Sequence, residues 1–584
     1  MNSTVTNAAE ITVLQPIDNN YKTGGGDLTV GGAVVVARKG RPFELHRVYG
    51  AAGDLVGVFG KPLARKKAFM EGLRHVNDAA KECSYVQTLR VVDTLTYRFP
   101  ALSFLTVSAR GEWKAGETYA VDDVVTMDGK AYVCLDDHVS EDASSPEGVG
   151  PWDAYEVSSG VATAALRWNA DVSVGDGAFL TLYVVDGDES KTRKIYVEKV
   201  DASSETFLIR VTDVDELSEE YDVETHTVGV DPEGTDDMGL SNYVETVLER
   251  DSDILRADFD ESLSWEDVAG SLGLLQSTRS SVAAKRVLKP IAFEGGTTGS
   301  DPDTQDFIDG LQFLRNESVS LDLLFAAGLT DETVLAEMAD IADFRHIGFF
   351  FDVPPSLKAT QALEWLSNLG LRSRHARAYY CPYSATDPWY GGKTVWGASG
   401  AMVAAKVRGI NTVTSGVVPG VHYAPAGINR AWFDRTGMVQ LYPTDTIDRD
   451  DFYDARLNPV VTYSTGDTVA DDDLVLWPKS NYLRFGWIND VLDYIDHRFE
   501  EGARELKFEP DGLTRNGLMR MMTGICDEMV TSGALVTPRD TANDGSSPYV
   551  VTVEQLEIDC WKVTWEVCVT GAARRIVGQP RLIK

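Results

Sequence analysis

The segment Gly391-Gly392-Lys393-Thr394 contains residue types that bind phosphate. A phosphate-binding loop also needs a glycine separated from the Gly-Lys pair by four residues, because its backbone amides must converge on the phosphate oxygens. Asp387 occupies that position instead. We therefore expect no nucleotide-binding site in this segment.

Residues capable of hydrolytic or metal chemistry also lack the spacing that such sites need. The segment Gly397-Ala398-Ser399-Gly400 is not the Gly-x-Ser-x-Gly turn of a nucleophilic serine. The eight histidines are dispersed and form no His-Glu-x-x-His pair. Asp301-Pro302-Asp303 begins like a calcium loop, but Asp306 stands where that loop needs glycine. The sequence predicts no catalytic residue, no metal site and no cofactor.

Four aromatic side chains form the remaining candidate binding site. Trp113, Tyr119, Tyr132 and Trp152 lie in a predicted small β insertion at 109–155, where glycine, aspartate and serine separate them. The pattern resembles the small chitin-binding modules attached to bacterial chitinases, which stack sugars on exposed aromatic rings. This resemblance implies a surface glycan as a partner. A second interpretation is that the rings fill a core too small to be stable without them.

Composition restricts the partners and the environment of the chain. With 54 Lys and Arg against 90 Asp and Glu, the net charge is −36, which argues against nucleic acid as a direct partner. No run of about 18 apolar residues is present, and Met1–Asn7 lacks the start of a signal peptide, so we expect neither a membrane span nor secretion. The six cysteines include no Cys-x-x-Cys pair, and we expect free thiols formed in a reducing cytoplasm.

The positions discussed so far must belong to several domains, because 584 residues exceed what one core holds. Repeated strand and helix patterns after residue 286 predict a mainly parallel, buried sheet. The predicted elements include a helix with Phe307 and Leu311 on one face, a helix capped by Thr330 and a strand near Ala376–Tyr380. Apolar spacing also predicts a helix over 62–80, and Gly533 stands where a later helix should end. The predicted divisions are an N-terminal arm (1–27), a strand-rich region (28–108 and 156–285) interrupted by the insertion (109–155), an α/β domain (286–477), an α+β domain (478–570) and a C-terminal arm (571–584).

Within the predicted α+β domain, Ile488, Val491 and Ile495 share one face of an amphipathic helix. Asp493, Glu500 and Glu501 lie away from that face, and we expect an exposed acidic surface there. The two arms are short apolar or basic segments of the kind that add a strand to a neighbouring sheet. Their candidate contact residues are Ile11, Val13, Arg574, Arg575, Ile576, Val577 and Arg581.

Several segments between residue 56 and the end of the chain resemble the tail sheath proteins of contractile-tailed bacteriophages. The closest is the helix pair with Lys507-Phe508-Glu509-Pro510 between the helices and Gly533-Ala534-Leu535 after them. Asp511 replaces the asparagine usual after the Phe-Glu-Pro turn. The other matching segments are Val56–Gly60, Ser241–Leu248 with Asp251–Asp253, Phe293–Gly296, Asp309–Leu311, Ala398–Ala401, Ala424–Ala426 and Leu457–Val460.

This resemblance implies a fold and a structural function. We expect a multidomain α/β and β protein with a subtilisin-like α/β sheath domain without a catalytic triad, a C-terminal α+β sheath domain, and a strand-rich outer domain carrying the small β insertion. The resemblance implies a homo-oligomeric sheath that surrounds a tail tube protein, joins baseplate and tail terminator proteins, and contracts to drive the tube through a bacterial envelope. The expected location is the phage tail of a virion assembled in the host cytoplasm.

The resemblance further implies that Asp493, Glu500 and Glu501 meet the tube and that the arms join neighbouring subunits. Two other classes of function stay open at the level of sequence. A carbohydrate-active enzyme would need paired carboxylates in a cleft. A carbohydrate-binding surface or adhesion protein would bind glycan without polymerising.

Overall fold

The computed structural model describes residues 28–576 and residue 579, with internal gaps. The segments left out are 51, 64–67, 106–107, 121–122, 128–129, 142–144, 149, 155–158, 165–177, 189–192, 200–204, 215–218, 266–267, 270–290, 294–295 and 413–418. The candidate arm residues Ile11, Val13, Val577 and Arg581 therefore lie outside the described residues.

Eleven α-helices are defined in the described parts of the chain. They are α1 (Ala52–Phe59), α2 (Gly72–Ala80), α3 (Val244–Asp251), α4 (Thr304–Arg315), α5 (Glu332–Arg345), α6 (Ala359–Leu369), α7 (Ser399–Ile410), α8 (Arg449–Asp454), α9 (Gly486–Leu506), α10 (Asp511–Ser532) and α11 (Thr541–Asp544). No helix among these residues is both long enough and apolar enough to cross a membrane.

The strands are short and numerous. In chain order they are β1 (Val30–Val35), β2 (Leu45–Val48), β3 (Tyr85–Arg90), β4 (Phe99–Leu105), β5 (Ser108–Glu112), β6 (Thr118–Tyr119), β7 (Asp123–Met127), β8 (Lys130–Cys134), β9 (His138–Val139), β10 (Trp152–Ala154), β11 (Ser159–Ala164), β12 (Ala178–Val184), β13 (Lys194–Lys199), β14 (Thr206–Val214), β15 (Glu220–Gly229), β16 (Leu255–Phe259), β17 (Ile291–Ala292), β18 (Leu323–Phe325), β19 (Gly348–Asp352), β20 (Ala376–Tyr380), β21 (Tyr383–Thr386), β22 (Lys393–Val395), β23 (Val439–Gln440), β24 (Leu457–Thr462), β25 (Thr468–Ala470), β26 (Tyr549–Glu557) and β27 (Cys560–Val567).

The chain divides into two compact units. The first contains the described residues up to Ala37, then Phe43–Val91 and everything from Thr304 onward. The second contains Arg38–Pro42 and Val92–Asp303. The two units do not coincide with the predicted divisions. Phe43–Val91 lies in the unit that contains Thr304 onward, and Ile291–Asp303 lies in the other unit.

The first unit is built on an eight-stranded sheet in the order β2-β3-β1-β18-β19-β20-β24-β25. Neighbouring strands from β3 to β24 are parallel, and only β2 and β25 pair in antiparallel register. The central strand β19 is buried along its whole length, as its run Phe349-Phe350-Phe351 predicts for a sheet covered on both faces. The predicted mainly parallel sheet is present, with three N-terminal strands added.

Local capping sets where the helices of this unit begin. The Asp331 carboxylate accepts hydrogen bonds from the backbone N–H groups of Thr333 and Val334, so α5 starts after Asp331 and not after the predicted Thr330. The helix predicted over 62–80 is also shorter than expected. A 3-10 turn at Ala68–Glu71 precedes α2.

The C-terminal part of the first unit has its own hydrophobic cluster. The helices α9 and α10 pack their apolar faces together through Val491, Ile495, Met522 and Met529. Gly533 ends α10 in the left-handed conformation, with φ of 81°, as its position in the sequence predicts. The hairpin β26–β27 lies against this cluster, where the ring centroids of Phe499 and Trp565 are 5.1 Å apart.

The second unit consists of small sheets. Two four-stranded sheets, β11-β4-β12-β16 and β15-β14-β13-β17, share a core with Phe104, Phe207 and Leu255. The predicted insertion forms a sheet of its own in the order β10-β8-β7-β5, with the short pair β6-β9 beside it.

Candidate functional site

The four aromatic residues of the insertion surround its small core but differ in exposure. Tyr119 is buried with Val125 and Cys134, whereas Trp113, Tyr132 and Trp152 are only partly buried against them. The Tyr119 hydroxyl accepts a hydrogen bond of 2.9 Å from the Lys114 backbone N–H. Tyr119 therefore serves the core, and the other three rings each keep part of their surface open to solvent.

His138 completes this aromatic core. Its ring lies edge-on to Trp152 with centroids 5.2 Å apart, and Tyr119 lies edge-on to Trp152 at 5.1 Å. Burial raises the pKa of the neighbouring Cys134 thiol, despite its hydrogen bond to the Asp136 carbonyl. The thiol is therefore kept neutral and serves as a small apolar side chain.

A cluster of Ser399, His75 and Asp352 was not predicted from the sequence. The Ser399 hydroxyl lies 3.0 Å from His75 Nδ1, and the closest carboxylate oxygen of Asp352 lies 3.8 Å from the same nitrogen. The three residues come from α7, α2 and the end of β19, and 324 positions separate His75 from Ser399. No local motif signals a contact over that distance.

The geometry of this cluster differs from that of a hydrolytic triad. A triad places serine and carboxylate on opposite nitrogens of the imidazole, whereas here both approach Nδ1. Asp352 accepts the Ser399 backbone N–H at 3.0 Å, and the Ala398 N–H as well, which caps α7. Burial, with Arg435 and Arg74 nearby, holds the pKa of His75 well below its usual range. The cluster is a buried structural contact that no substrate reaches.

The segment Gly391-Gly392-Lys393 is a hairpin turn. Both glycines have positive φ, 68° and 74°, in the connection from β21 to β22. The Lys393 ammonium donates to the Gly437 carbonyl, and Asp387 accepts the Trp389 N–H at 2.9 Å. These contacts give the residues of the motif a local structural role.

Asp493 does not lie on an exposed acidic face, and that sequence-based placement is wrong. It is only 6% exposed, and its Oδ1 accepts from Arg374 at 2.8 Å and lies 3.2 Å from His375 Nε2. Glu500 and Glu501 are exposed, further along α9. The first half of α9 is thus covered on its acidic side as well as on its apolar side.

A second acidic residue of α9 belongs to a buried ionic cluster. Asp490 pairs with Arg377 of β20 and Lys406 of α7, and Arg377 also binds Asp473 at 2.9 Å. The two cations are each at most 2% exposed. Burial raises the pKa of Asp490, but the attraction of Arg377 and Lys406 outweighs it and leaves that pKa below its usual range. The cluster fixes α9 to the sheet.

The described part of the C-terminal arm is anchored at one residue. The Arg574 guanidinium forms a two-pronged ion pair with Asp472, with Nη2 at 2.5 Å, and lies 4.2 Å from the ring centre of Tyr453. Arg575 and Ile576 are exposed beyond it, and the Ile576 side chain has almost no cover.

Comparison with known proteins identifies the insertion and the class of solved structures that the chain resembles. The family model of carbohydrate-binding module family 5/12 matches residues 112–153. No curated protein sequence matches the chain.

Three of the solved structures that resemble the chain are sheath proteins. A sheath tail protein from Desulfitobacterium hafniense is 11% identical, with a TM-score of 0.43 over 95% of this chain and 100% of that one. The sheath of an extracellular contractile injection system in the contracted state is 16% identical, with a TM-score of 0.36 over 45% of this chain and 70% of that one. The helical sheath of the anti-feeding prophage, also contracted, is 15% identical, with a TM-score of 0.36 over 48% and 74%. The chain is thus similar to solved sheath proteins of contractile systems, the broader class to which the resemblance stated from the sequence belongs.

Proposed function

We propose that the chain is a structural subunit of a contractile tail sheath, not an enzyme. The observation that carries the proposal is the C-terminal hairpin followed by its arm. The strands β26 and β27 form a two-stranded sheet, and apart from the bridge between Leu535 and Val569 no further strand of the described chain pairs with it. Such a ribbon is marginal alone and presents unpaired N–H and C=O groups that a strand from another subunit satisfies.

The arm after the hairpin suits this exchange between subunits. Beyond Val569 the described chain runs without helix or strand, and its ion pair to Asp472 is partly exposed. The described arm residues 571–576 are otherwise exposed, so an arm that leaves its own subunit breaks the contacts of Arg574 with Asp472 and Tyr453 and few others. A strand added to a neighbour gains about 1 kcal/mol net for each hydrogen bond, and the gain repeats at every subunit.

In the proposed mechanism, subunits polymerise around a tail tube in an extended state and contract to drive the tube through a bacterial envelope. The arms act as flexible tethers while the folded units move as rigid bodies. Baseplate and tail terminator proteins lie at the ends of the sheath. In a phage particle, contraction leads to genome ejection. Glu500 and Glu501 are the proposed residues of contact with the tube, where weak exposed contacts allow release during contraction.

Negative-stain microscopy of the purified chain, alone and with its tube protein, tests this proposal. The full chain should form hollow tubes, and a variant that lacks residues 574–584 should remain folded and fail to polymerise. Arg574→Gln is the matched point variant, since it removes the anchor and keeps the arm. Normal tubes from the truncated chain would contradict the arm exchange. A chain that stays monomeric and binds glycan would favour the adhesion protein instead.

We also propose that the insertion binds a glycan of the chitin class. The match to a carbohydrate-binding module family over 112–153 supports this, as do the partly open rings of Trp113, Tyr132 and Trp152. Retention of the full chain on chitin beads should fall with Trp152→Ala. Leu135→Ala, which trims an exposed apolar side chain of the same insertion, is the control. Equal retention of the two variants would reject the sugar site and leave the rings as core.

A further inference from the structure

A histidine and two aspartates converge where α9 passes the end of α5. His346 follows α5 directly, in the left-handed conformation with φ of 51°, which is uncommon for a residue other than glycine. Asp493 and Asp496 lie three residues apart on α9 and so share one face of the helix. One side-chain ligand atom from each of the three residues lies within 4.8 Å of the others.

A small cavity opens beside two of the three side chains. His346 and Asp493 line a cavity of about 40 Å³ together with His497, Tyr494 and Gly348. A cavity of this size exceeds the volume needed for a water molecule. The His346 side chain is 41% exposed and that of Asp496 is 28% exposed, so an ion has a path from solvent.

The charges around the three residues leave a small excess of carboxylates. Asp343, Asp493 and Asp496 contribute three carboxylates, and two cations lie against them. These are the Arg374 guanidinium, with Nη2 2.8 Å from Asp493 and 4.0 Å from Asp496, and the His375 imidazolium, which donates from Nδ1 to Asp343 and from Nε2 to Asp493. Arg374 and His375 both contact Oδ1 of Asp493. A cation at Oδ2 of Asp493 therefore does not require either contact to break.

The neighbouring His497 lies beside His346 and is not one of the three converging residues. Its Nε2 lies 3.0 Å from the Arg345 carbonyl oxygen, and because a carbonyl only accepts, Nε2 carries the proton of that contact. The ring of His497 stacks on that of His346, with centroids 6.5 Å apart.

We propose that His346 Nδ1, Asp493 and Asp496 bind a divalent transition-metal ion of the Zn²⁺ class, with water completing the coordination. An imidazole nitrogen with two carboxylates suits Zn²⁺, whereas Ca²⁺ and Mg²⁺ prefer oxygen ligands alone. The ion would cross-link α9 to the end of α5. It would thereby strengthen the attachment of the C-terminal helices to the sheet beside the buried ionic cluster. This proposal does not depend on the sheath function.

Calorimetric titration of the full, chelator-treated chain with Zn²⁺ tests the site. We expect one ion bound per chain, and at least about tenfold weaker binding in Asp496→Asn and in His346→Asn. Asparagine tolerates the left-handed backbone at 346, so that variant preserves the helix end. Glu505→Gln removes an exposed carboxylate from the same helix and should bind Zn²⁺ as the unmodified chain does.

A second measurement separates metal binding from general destabilisation. Zn²⁺ should raise the melting temperature of the unmodified chain and of Glu505→Gln, because a ligand of the native state stabilises it. It should not raise that of the two site variants. The proposal is overturned if the unmodified chain binds no Zn²⁺, if both site variants bind it with unchanged affinity, or if excess Ca²⁺ displaces it.

Discussion

Different chemistry stabilises two regions of the molecule. One is the contact of α9 with the large sheet and α7, and the other is the core of the insertion. At α9, Asp490 and Asp473 neutralise Arg377 and Lys406 inside the protein. In the insertion, rings pack edge to face around Tyr119. Buried charges accept one arrangement, because any displacement leaves an unpaired ion, whereas an aromatic core tolerates changes that conserve volume. The proposed movement of the folded units as rigid bodies needs the first kind of contact where α9 joins the sheet.

The largest effect is expected from Asp490→Asn. It leaves Arg377 and Lys406 buried with one carboxylate between them, and breaking such a cluster costs about 3–5 kcal/mol. Urea unfolding of the monomer measures the loss, with Glu505→Gln as the exposed control on the same helix, expected within about 0.5 kcal/mol. Adding Lys406→Met to Asp490→Asn should recover part of the loss. If Asp490→Asn loses no more unfolding free energy than Glu505→Gln, the ionic cluster does not fix α9 to the sheet.

A pH dependence of smaller size should come from His422, beside Lys406. Burial first, and then the charges of Lys406 and Arg430, lower the pKa of His422 to about 4. Its folded pKa is thus below the unfolded value, so its contribution to stability is present above about pH 6.5 and is lost as pH falls toward 4. We expect His422→Asn to flatten the curve of unfolding free energy against pH by about 2–3 kcal/mol over that window. An unchanged slope in the variant would assign the dependence to other groups.

Sequence periodicity anticipated several elements of the first unit well. The strand at Ala376–Tyr380 and the helix end at Gly533 lie where the apolar pattern and the glycine predicted them. The helix α4 likewise contains the predicted face of Phe307 and Leu311. Local signals suffice at these positions because burial and capping depend on neighbours within one or two turns.

The buried polar clusters could not be predicted, because their partners are distant in the sequence. Asp490 contacts Arg377 across 113 positions, and Asp493 contacts His375 across 118. A carboxylate opposite the apolar face of a helix normally faces water, but here β20, the residues just before it and α7 cover the carboxylates. One signal in the sequence of α9 indicates this burial. Asp490 and Asp493 lie within the largely apolar run from Trp487 to Ile495, and this run is more continuous than a helix with one exposed face requires.

Tyr119→Phe tests the other region of the comparison, the aromatic core of the insertion. It keeps the ring and removes the contacts of the hydroxyl with the Lys114 backbone N–H and carbonyl, so we expect a loss of about 1 kcal/mol confined to the insertion. Hydrogen exchange should show faster exchange in β6 and β9 and no change in the large sheet. A global loss of stability, as large as that of Asp490→Asn, would show that the insertion is not a separate folding element.

The smallest effect on stability is expected from reversing the two exposed charges at the end of α9. Glu501 has one weak contact, at 3.7 Å from Arg498, and exposed pairs at this spacing contribute about 0.3–0.5 kcal/mol. Glu500→Lys with Glu501→Lys should therefore leave the monomer folded and still impair assembly on the tube at low salt, where exposed charges are least screened. The double reversal Glu233→Lys with Glu249→Lys, at exposed positions of the second unit, changes the net charge equally and should assemble normally. Co-sedimentation with the tube protein measures the difference. Equal assembly of the two double variants would show that the exposed end of α9 does not contact the tube. The function of this helix would then lie in its buried half.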